Sequence, residues 1–440
     1  MMKVQKLLIY ILRNLAILRA LQCGGLNWTF ASANDRDSYQ LEKLNEVWQH
    51  AIQNVPFYKM WKEKHALPDK IVSFEEYSKW PILKKSDLQQ YAELLKWESG
   101  TPIHWSVTGG ATGEPLHFGV MLGQGQQISE SLLLARAALG VMPGDKIFLF
   151  WGHRHFYGNG MKAKIKFFIR RCKDWVNNTY RADACDLSPQ YLSFVGRKLR
   201  RMKPEVLISY SASLLAFCRS QKDTGINYTN LGLKTIICTA GPLSKEEREE
   251  ISAFFNAPVY MEYGSMDAGL MGYMTATGHY SVIHRDCIMQ TYNDGVGDLN
   301  LVTPLYPQYL PLIRYQIGDY LKDCTYTSDG RVETIGEVWG RGSDVVELEN
   351  GLKFQVQTFM VCAEEIKKIL AYQLVKKDTG LEFHIQVSES LTNEERIIIK
   401  EKAYSIITEL RQVGFEIVEN ANLIKAPSGK IRLLIDMTIK

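Results

Sequence analysis

Val206-Leu207-Ile208-Ser209-Tyr210 runs directly into Ser211 to Gln221, and Thr235-Ile236-Ile237-Cys238-Thr239 is followed by Lys245 to Phe255 and then Pro258-Val259-Tyr260-Met261-Glu262-Tyr263. The segments at 206, 235 and 258 are short and apolar and carry β-branched or aromatic residues, as buried strands do. The longer segments between them read as helices. Strand–helix alternation dictates a parallel sheet covered by helices, because parallel neighbours need a long crossover connection. Ligands of such sheets sit beyond the carboxyl ends of the strands. This places Tyr210, Thr239-Ala240-Gly241-Pro242 and Tyr263-Gly264-Ser265-Met266-Asp267 around one crevice.

Upstream, Lys146-Ile147-Phe148-Leu149-Phe150-Trp151 reads as another buried strand. It opens into the loop Gly152-His153-Arg154-His155-Phe156-Tyr157-Gly158 and a basic helix from Met161 to Arg171. His153 or His155 is a candidate general base or substrate-orienting group; the alternative is a plain polar loop. Earlier still, Ile103 to Val107 and Leu116 to Val120 read as strands around a loop with three glycines and two threonines between Thr108 and Gly113. Glycines let the backbone approach a ligand closely, and successive N–H groups can cradle an anion. The strand–loop–strand setting excludes a Walker loop and a Rossmann turn, both of which open a helix. A simple hairpin turn remains the alternative. Helices are expected over 38–65, stopped near Pro56, from Ser86 or Asp87 as a cap, and over Gln126 to Leu139.

Downstream, residues 280–340 are dense in strands and turns, among them Asn293-Asp294-Gly295 and Ser328-Asp329-Gly330. Near 343 the pattern changes to short strands (His384 to Val387, Phe415 to Val418), a long helix from Asn393 to Gln412 and the loop Lys425-Ala426-Pro427-Ser428-Gly429-Lys430. The expected architecture is α/β. A large N-terminal domain with parallel, helix-covered sheets spans 26–342, and a small C-terminal α+β domain spans 343–440 on a hinge.

A net charge of +4 on 440 residues gives no reason to expect a nucleic-acid partner. Eight scattered cysteines point to reduced thiols and a cytoplasmic protein. His279, His284, Cys287 and Cys324 can be drawn together as a zinc site, but their spacing is poor. Within residues 1–25, Val4, Leu7, Leu8, Ile11, Leu12, Leu15 and Leu18 form a helical stripe broken by Lys3, Lys6, Arg13 and Arg19. The uncharged run is too short to span a bilayer. Residues 1–22 are therefore either a helix docked on the protein body or a basic amphipathic helix making peripheral contact with the inner face of a membrane.

These segments, in this order, resemble the adenylate-forming superfamily of acyl- and aryl-CoA ligases. The resemblance is greatest to phenylacetate–CoA ligases and the capsular-polysaccharide biosynthesis proteins related to them. It runs from about residue 40 onward, beginning with Asn54-Val55-Pro56-Phe57-Tyr58 and Pro81-Ile82-Leu83-Lys84-Lys85. It implies ATP, Mg²⁺ and a carboxylic acid as ligands, with coenzyme A or another thiol, amine or hydroxyl as acyl acceptor. The loop with Thr108, Gly109, Gly110, Thr112 and Gly113 corresponds to the family's phosphate loop. Gly241 and Pro242 fall where the family lines the adenine and acyl pocket. In Tyr263-Gly264-Ser265-Met266-Asp267 the tyrosine corresponds to the residue packed on adenine and Asp267 to the Mg²⁺ ligand. Asp319 of Arg314-Tyr315-Gln316-Ile317-Gly318-Asp319 matches the ribose-binding aspartate. Arg341 matches a nucleotide-contacting arginine, Ser343 and Asp344 the hinge, and Lys430 the lysine delivered to the adenylation site.

Elementary chemistry agrees with these roles. Carboxylate attack on a phosphate builds negative charge that cations and fixed donors stabilise. Mg²⁺ takes oxygen ligands, and one carboxylate can accept from both hydroxyls of a diol. The chain departs from the family pattern at Gly109 or Gly110 and at Ala111, at Glu114 where many members carry lysine, and at Asp267 in place of glutamate. A second reading follows from these departures: a nucleotide-binding or scaffolding protein of a cell-surface polysaccharide assembly complex that has lost catalysis.

Overall fold

The computed structural model describes residues 30–107, 117–121, 124–142, 144–151, 161–184, 186, 188–265, 267–306, 308–341, 345–348, 353–356, 366–419, 422–424 and 431–438. Internal contacts divide these into two units, one from 144–260 and 340–440, the other from 10–143 and 261–339.

In the first unit, strands Thr179–Ala182, Ile147–Phe150, Val206–Tyr210 and Thr235–Thr239 lie side by side in that order, all parallel. Val206–Ile208 and Ile236–Cys238 are buried, which is why these strands read as continuous apolar runs. The helices Ser211–Gln221 and Lys245–Phe255 have the limits expected from the sequence. Ser244 starts the second as a capping box, accepting from Glu247 N at 3.1 Å while Glu247 accepts from Ser244 N at 3.0 Å. Asn256 ends it in the left-handed conformation, φ 52°. The basic helix expected from 161 to 171 extends to Val176.

The C-terminal part of this unit is the small α+β domain. Its sheet has the order Phe415–Glu419, Gly380–Val387, Ile369–Lys377, Leu434–Asp436, with an antiparallel central pair and parallel outer ones. Leu374, Phe383, Ile385, Ile399, Leu410 and Phe415 pack into a core of its own. The helix expected to reach Gln412 ends at Ile406; Ile407 turns extended (φ −131°, ψ 91°) and the short helix Thr408–Arg411 follows. That turn puts Leu410 in the core, which a continued helix need not do. Ile369–Lys377, the central partner of the sheet, was not among the expected strands.

In the second unit, Ser32 caps the helix Ala33–Asn54, whose Leu44, Val47, Trp48 and Ala51 are buried. Pro56 opens a new helix, Pro56–Lys64, so the expected 38–65 helix is two helices broken at Val55. The helix Lys85–Gln90 is capped at Lys84, two residues before Ser86 and three before Asp87: Lys84 N donates to Asp87 Oδ2 at 2.8 Å from the cap position. Strands Cys287–Asn293, Asp298–Pro304, Tyr315–Lys322 and Glu337–Arg341 form one antiparallel-containing sheet, the unit boundary falling inside the last strand. Asn293-Asp294-Gly295 makes the first hairpin turn, with Gly295 at φ 90° and Asp294 Oδ1 accepting from Val296 N at 2.9 Å.

The four residues weighed for zinc do not gather. Among the described residues there is no cluster of three or more metal-binding side chains. Cys287 is buried and its thiol donates weakly to Ile283 O at 3.7 Å. Residues 1–25 lie outside the described residues. No described helix is long and apolar enough to cross a membrane.

Two arginines of the second unit are paired with buried partners. Arg136 Nε and Nη2 donate to Glu262 Oε1 and Oε2 at 2.7 and 3.0 Å, and the Glu262 side chain is only 4% exposed. Arg331, equally buried, joins Gln40 Oε1 at 2.6 Å, Asp329 at 2.7 Å and Asp37 at 2.9 Å, with its guanidinium over the Phe74 ring. Removing one partner of a buried pair strands the other charge. Arg136→Ala is therefore expected to lower unfolding free energy by about 3–5 kcal/mol, while exchanging both residues for methionine recovers most of the loss. Urea unfolding of the two variants measures it.

His284 gives a pH signature. Burial lowers its imidazole to about 4, and the Arg36 and Arg331 cations push in the same direction. The unfolded chain therefore binds the proton first. Stability is full above the ordinary histidine range and falls as pH drops toward about 4. His284→Gln is expected to make this acid decline shallower, read as the urea midpoint across that window.

Candidate functional site

Tyr263 is in the strand Val259–Ser265, and Asn300 and Asp319 are in the neighbouring strands Asp298–Pro304 and Tyr315–Lys322. Their polar groups form a relay: Asn300 Nδ2 donates to Tyr263 Oη at 2.8 Å, and Tyr263 Oη donates to Asp319 Oδ2 at 3.0 Å. All three residues are buried. Asn300 Oδ1 is buried without a protein partner.

The backbone explains how Asp319 gets there. Across the pair, Leu299 faces Tyr320 and Leu301 faces Gln316, so residues 317–319 stand opposite Asn300 alone. Gly318 takes φ 88° inside this irregularity, a conformation that suits glycine. A bulge re-aims side chains, and bulges gather near functional sites. Here it sets the Asp319 carboxylate on the Tyr263 hydroxyl.

Asp267 follows in the turn after Tyr263. Ser265 Oγ donates to Asp267 Oδ1 at 2.6 Å and accepts from Ala268 N at 3.0 Å, fixing a partly exposed carboxylate. Gln308 Nε2 donates to Asp267 O at 3.0 Å, and Gln308 Oε1 accepts from Leu312 N at 3.3 Å. One oriented carboxylate with a hydroxyl beside it is an all-oxygen donor set. It suits Mg²⁺, which is bound by one or two carboxylates and completed by phosphate oxygens and water. Gly264 stays exposed, and a Cβ there would lie 2.7 Å from Gly269 O, so the bare backbone at this strand end is a steric requirement.

The strands Ile103–Val107 and His117–Met121 pair antiparallel with Val107 opposite His117, confirming the expected hairpin arms. An aromatic group anchors them. Tyr309 stacks on Trp97 at 5.2 Å, meets the Trp105 edge at 5.6 Å, and accepts from Trp97 N at 3.0 Å. A Cβ on Gly119 would come within 2.5 Å of the Tyr309 ring, so glycine lets the second arm close on this cluster.

In the first unit, Tyr210 and Thr239 are Cα partners at the carboxyl ends of their strands, and Trp151 packs on Tyr210 at 4.6 Å. Ser211 Oγ lies 2.8 Å from Gly241 O and 3.1 Å from Thr239 O, tying down the turn. Ala240 has φ 70°, and Gly241 is exposed with Pro242 half-buried beside it.

Tyr263, Asn300 and Asp319 are thus brought together, with Ser265, Asp267 and Gln308 arranged in the adjoining turn of the same unit. Gly241, Pro242 and Tyr210 belong to the other unit. Arg341 ends the strand Glu337–Arg341. Thr108, Gly109, Gly110, Thr112, Gly113, His153, Ser343, Asp344 and Lys430 lie outside the described residues. Asn300, Gln308 and Tyr309 were not expected. Asn300 alone left a trace, an amide between Leu299 and Leu301 in an apolar strand.

No family model matches the chain. Protein CapK of Staphylococcus aureus is 23% identical over 424 residues, covering 92% of this chain and 90% of its own. Phenylacetate-coenzyme A ligase of Pseudomonas putida is 22% identical over 384 residues, covering 81% and 83%. The fold matches a 2-hydroxyisobutyryl-CoA ligase in the postadenylation state, in complex with R3-HIB-AMP, with a TM-score of 0.69 over 93% of this chain and 91% of that one at 16% identity. The chain has the fold of the adenylate-forming superfamily. An anthranilate CoA ligase in complex with anthranoyl-AMP shares the superfamily fold with a TM-score of 0.52 over 77% of this chain and 67% of that one. At 16% and 12% identity these structural likenesses establish the fold.

The relay has a measurable cost of disruption. Tyr263→Phe deprives Asp319 of a buried donor and Asn300 of its acceptor. Stability is expected to drop by about 1–3 kcal/mol. Chemical denaturation of Tyr263→Phe beside the distant Tyr326→Phe gives the comparison.

Proposed function

We propose that this protein is an AMP-forming ligase. It activates a carboxylic acid with ATP as an acyl-adenylate, releases pyrophosphate, and passes the acyl group to coenzyme A. The observation that carries this reading is the Asn300–Tyr263–Asp319 relay. It presents a buried, pre-set carboxylate, with the oriented Asp267 in the turn that follows Tyr263, in a fold whose solved relatives hold acyl-AMP.

Asp319 accepts from the ribose hydroxyls. Tyr263 fixes the carboxylate and lies under the adenine position. Gly241, Pro242, Gly264 and Ser265 provide close-approach backbone and small side chains around the nucleotide. Asp267 holds Mg²⁺, which when bound neutralises phosphate charge. The backbone of Thr108, Gly109, Gly110, Thr112 and Gly113 holds the β- and γ-phosphates, with donors from main-chain N–H groups more than from side chains. A substrate carboxylate oxygen attacks the α-phosphorus, the bond from that phosphorus to the bridging oxygen breaks, and pyrophosphate leaves. Lys430 supplies the cation between substrate carboxylate and α-phosphate, and Arg341 adds a second. In the next half-reaction the thiolate of coenzyme A attacks the acyl carbon and AMP departs. His153 takes the thiol proton. Rotation about Ser343 and Asp344 exchanges the two active arrangements.

The composition of the phosphate loop, with Ala111 and Glu114, supports a second reading in which nucleotide binds without turnover. Pyrophosphate release measured over a panel of aryl, hydroxy and fatty acids separates the two. The ligase reading expects turnover with at least one class of acid. Lys430→Ala is then expected to lower the adenylation rate roughly 10²–10³-fold, as loss of one transition-state donor does. Asp319→Ala is expected mainly to raise the KM for ATP. ATP binding with no pyrophosphate release from any acid overturns the ligase reading.

A further inference from the structure

The helix Met161–Val176 is the most unusual surface of the first unit. It presents Met161, Ile165, Phe168, Cys172 and Trp175 on a single stripe, spaced four, three, four and three residues apart. None is covered. Met161 is 73% exposed, Ile165 54%, Phe168 69% and Trp175 61%, and Cys172 is an exposed free thiol. Ile169 widens the stripe at 49% exposure. A contiguous apolar stripe of this kind marks an interaction site, unlike scattered single residues.

Charge around the stripe has one sign. Lys164, Arg170, Arg171 and Lys173 are all exposed. The helix has a single acid, Asp174, and it faces the protein. Arg181 Nε and Nη2 hold its two oxygens, each at 3.1 Å, and Arg170 approaches at 3.4 Å. Arg171 lies over the Tyr180 ring at 5.5 Å, adding a second tie to the strand Thr179–Ala182. The helix is thus fastened through its one anion and an aromatic contact. Among the described side chains its outer face carries the apolar stripe bordered by cations, over a length of about 24 Å at 1.5 Å per residue.

We propose that this helix is a docking surface for an anionic lipid bilayer, lying in the membrane plane. Phe168 and Trp175 enter the headgroup and acyl boundary, and the lysines and arginines meet lipid phosphates and carboxylates. Charge complementarity selects this occupant. A hydrophobic patch on a protein partner or on a second copy of the chain gains nothing from a cationic border, whereas in-plane helices on anionic membranes have this composition. The surface is independent of the ATP chemistry proposed above, and of residues 1–22, whose basic stripe is a separate segment of the sequence.

The full chain sedimented with phosphatidylcholine vesicles, with and without phosphatidylserine, tests this. Binding is expected only with phosphatidylserine and is expected to weaken at high salt. Ile165→Asp with Phe168→Asp is expected to lower vesicle partition roughly tenfold or more, since it removes inserted apolar area and adds repelling charge. Lys164→Glu with Lys173→Glu is expected to weaken it as well. All four side chains are exposed, so thermal unfolding is expected to match the parent and certifies the folded state. The proposal is overturned if the parent ignores anionic vesicles, or if both double variants bind as the parent does. It is also overturned if the parent self-associates in sedimentation and the substitutions abolish that association without changing vesicle binding.

Discussion

A buried carboxylate must be satisfied, and the strand arrangement around Asp319 answers that demand. Tyr263 comes from one sheet; Asn300 and Asp319 come from adjacent strands of another. Only if both sheets hold their registers do Asn300 Nδ2, Tyr263 Oη and Asp319 Oδ2 fall at hydrogen-bonding distance. An unmet charge in such surroundings costs several kcal/mol, so the relay penalises any slip of one strand against another. The bulge at Gly318 is part of the same constraint. It interrupts the ladder where regular pairing would carry Asp319 elsewhere. The relay geometry is thereby set by the fold itself, which is the condition for preorganised binding.

The limits of what the sequence discloses follow the same physics. Val206–Tyr210 and Thr235–Thr239 were readable to the residue because parallel strands covered on both faces are continuous apolar runs. Ile369–Lys377 was not, although it is the centre of the small domain's sheet. Its Gln373 interrupts the run and is fully buried, donating to Arg432 O at 2.7 Å and to Ile424 O at 3.0 Å. A buried amide with distant partners looks like a surface residue until the fold supplies them. The site divides in the same way. Tyr263, Asp267 and Asp319 stand in short motifs that can be recognised one by one. That Tyr263 bonds directly to Asp319, while accepting from an asparagine 37 residues away, depends on sheet register and has no local signature.

Charged side chains play two different parts. Arg331 and the Arg136–Glu262 pair are buried with their partners and tie sequence-distant segments together. On Met161–Val176 Lys164 and Lys173 are exposed, while the single acid is buried and held by Arg181. Pattern alone identified that segment as a basic helix. Periodicity does not tell which face is covered, because an apolar stripe reads the same toward a core or toward a partner. The anchoring of Asp174 by Arg181 decides it.

The two-unit division also constrains how the chain can reach this structure. Each unit is assembled from segments interrupted by the other, residues 261–339 dividing the first and residues 144–260 the second, so neither is complete when its first segment leaves the ribosome. The helix Ala33–Asn54 finds its anchors late: Gln40 waits for His284 and Arg331, separated by 244 and 291 residues. Tyr58 waits for Pro311, a further 253 residues away in sequence. Such long-range closure slows folding and leaves the apolar face of the early helix uncovered during synthesis. A nascent chain of this topology is thus a client for cellular folding helpers until the second half arrives. Its topology also places the relay carboxylate, and with it the proposed chemistry, among the last features to form.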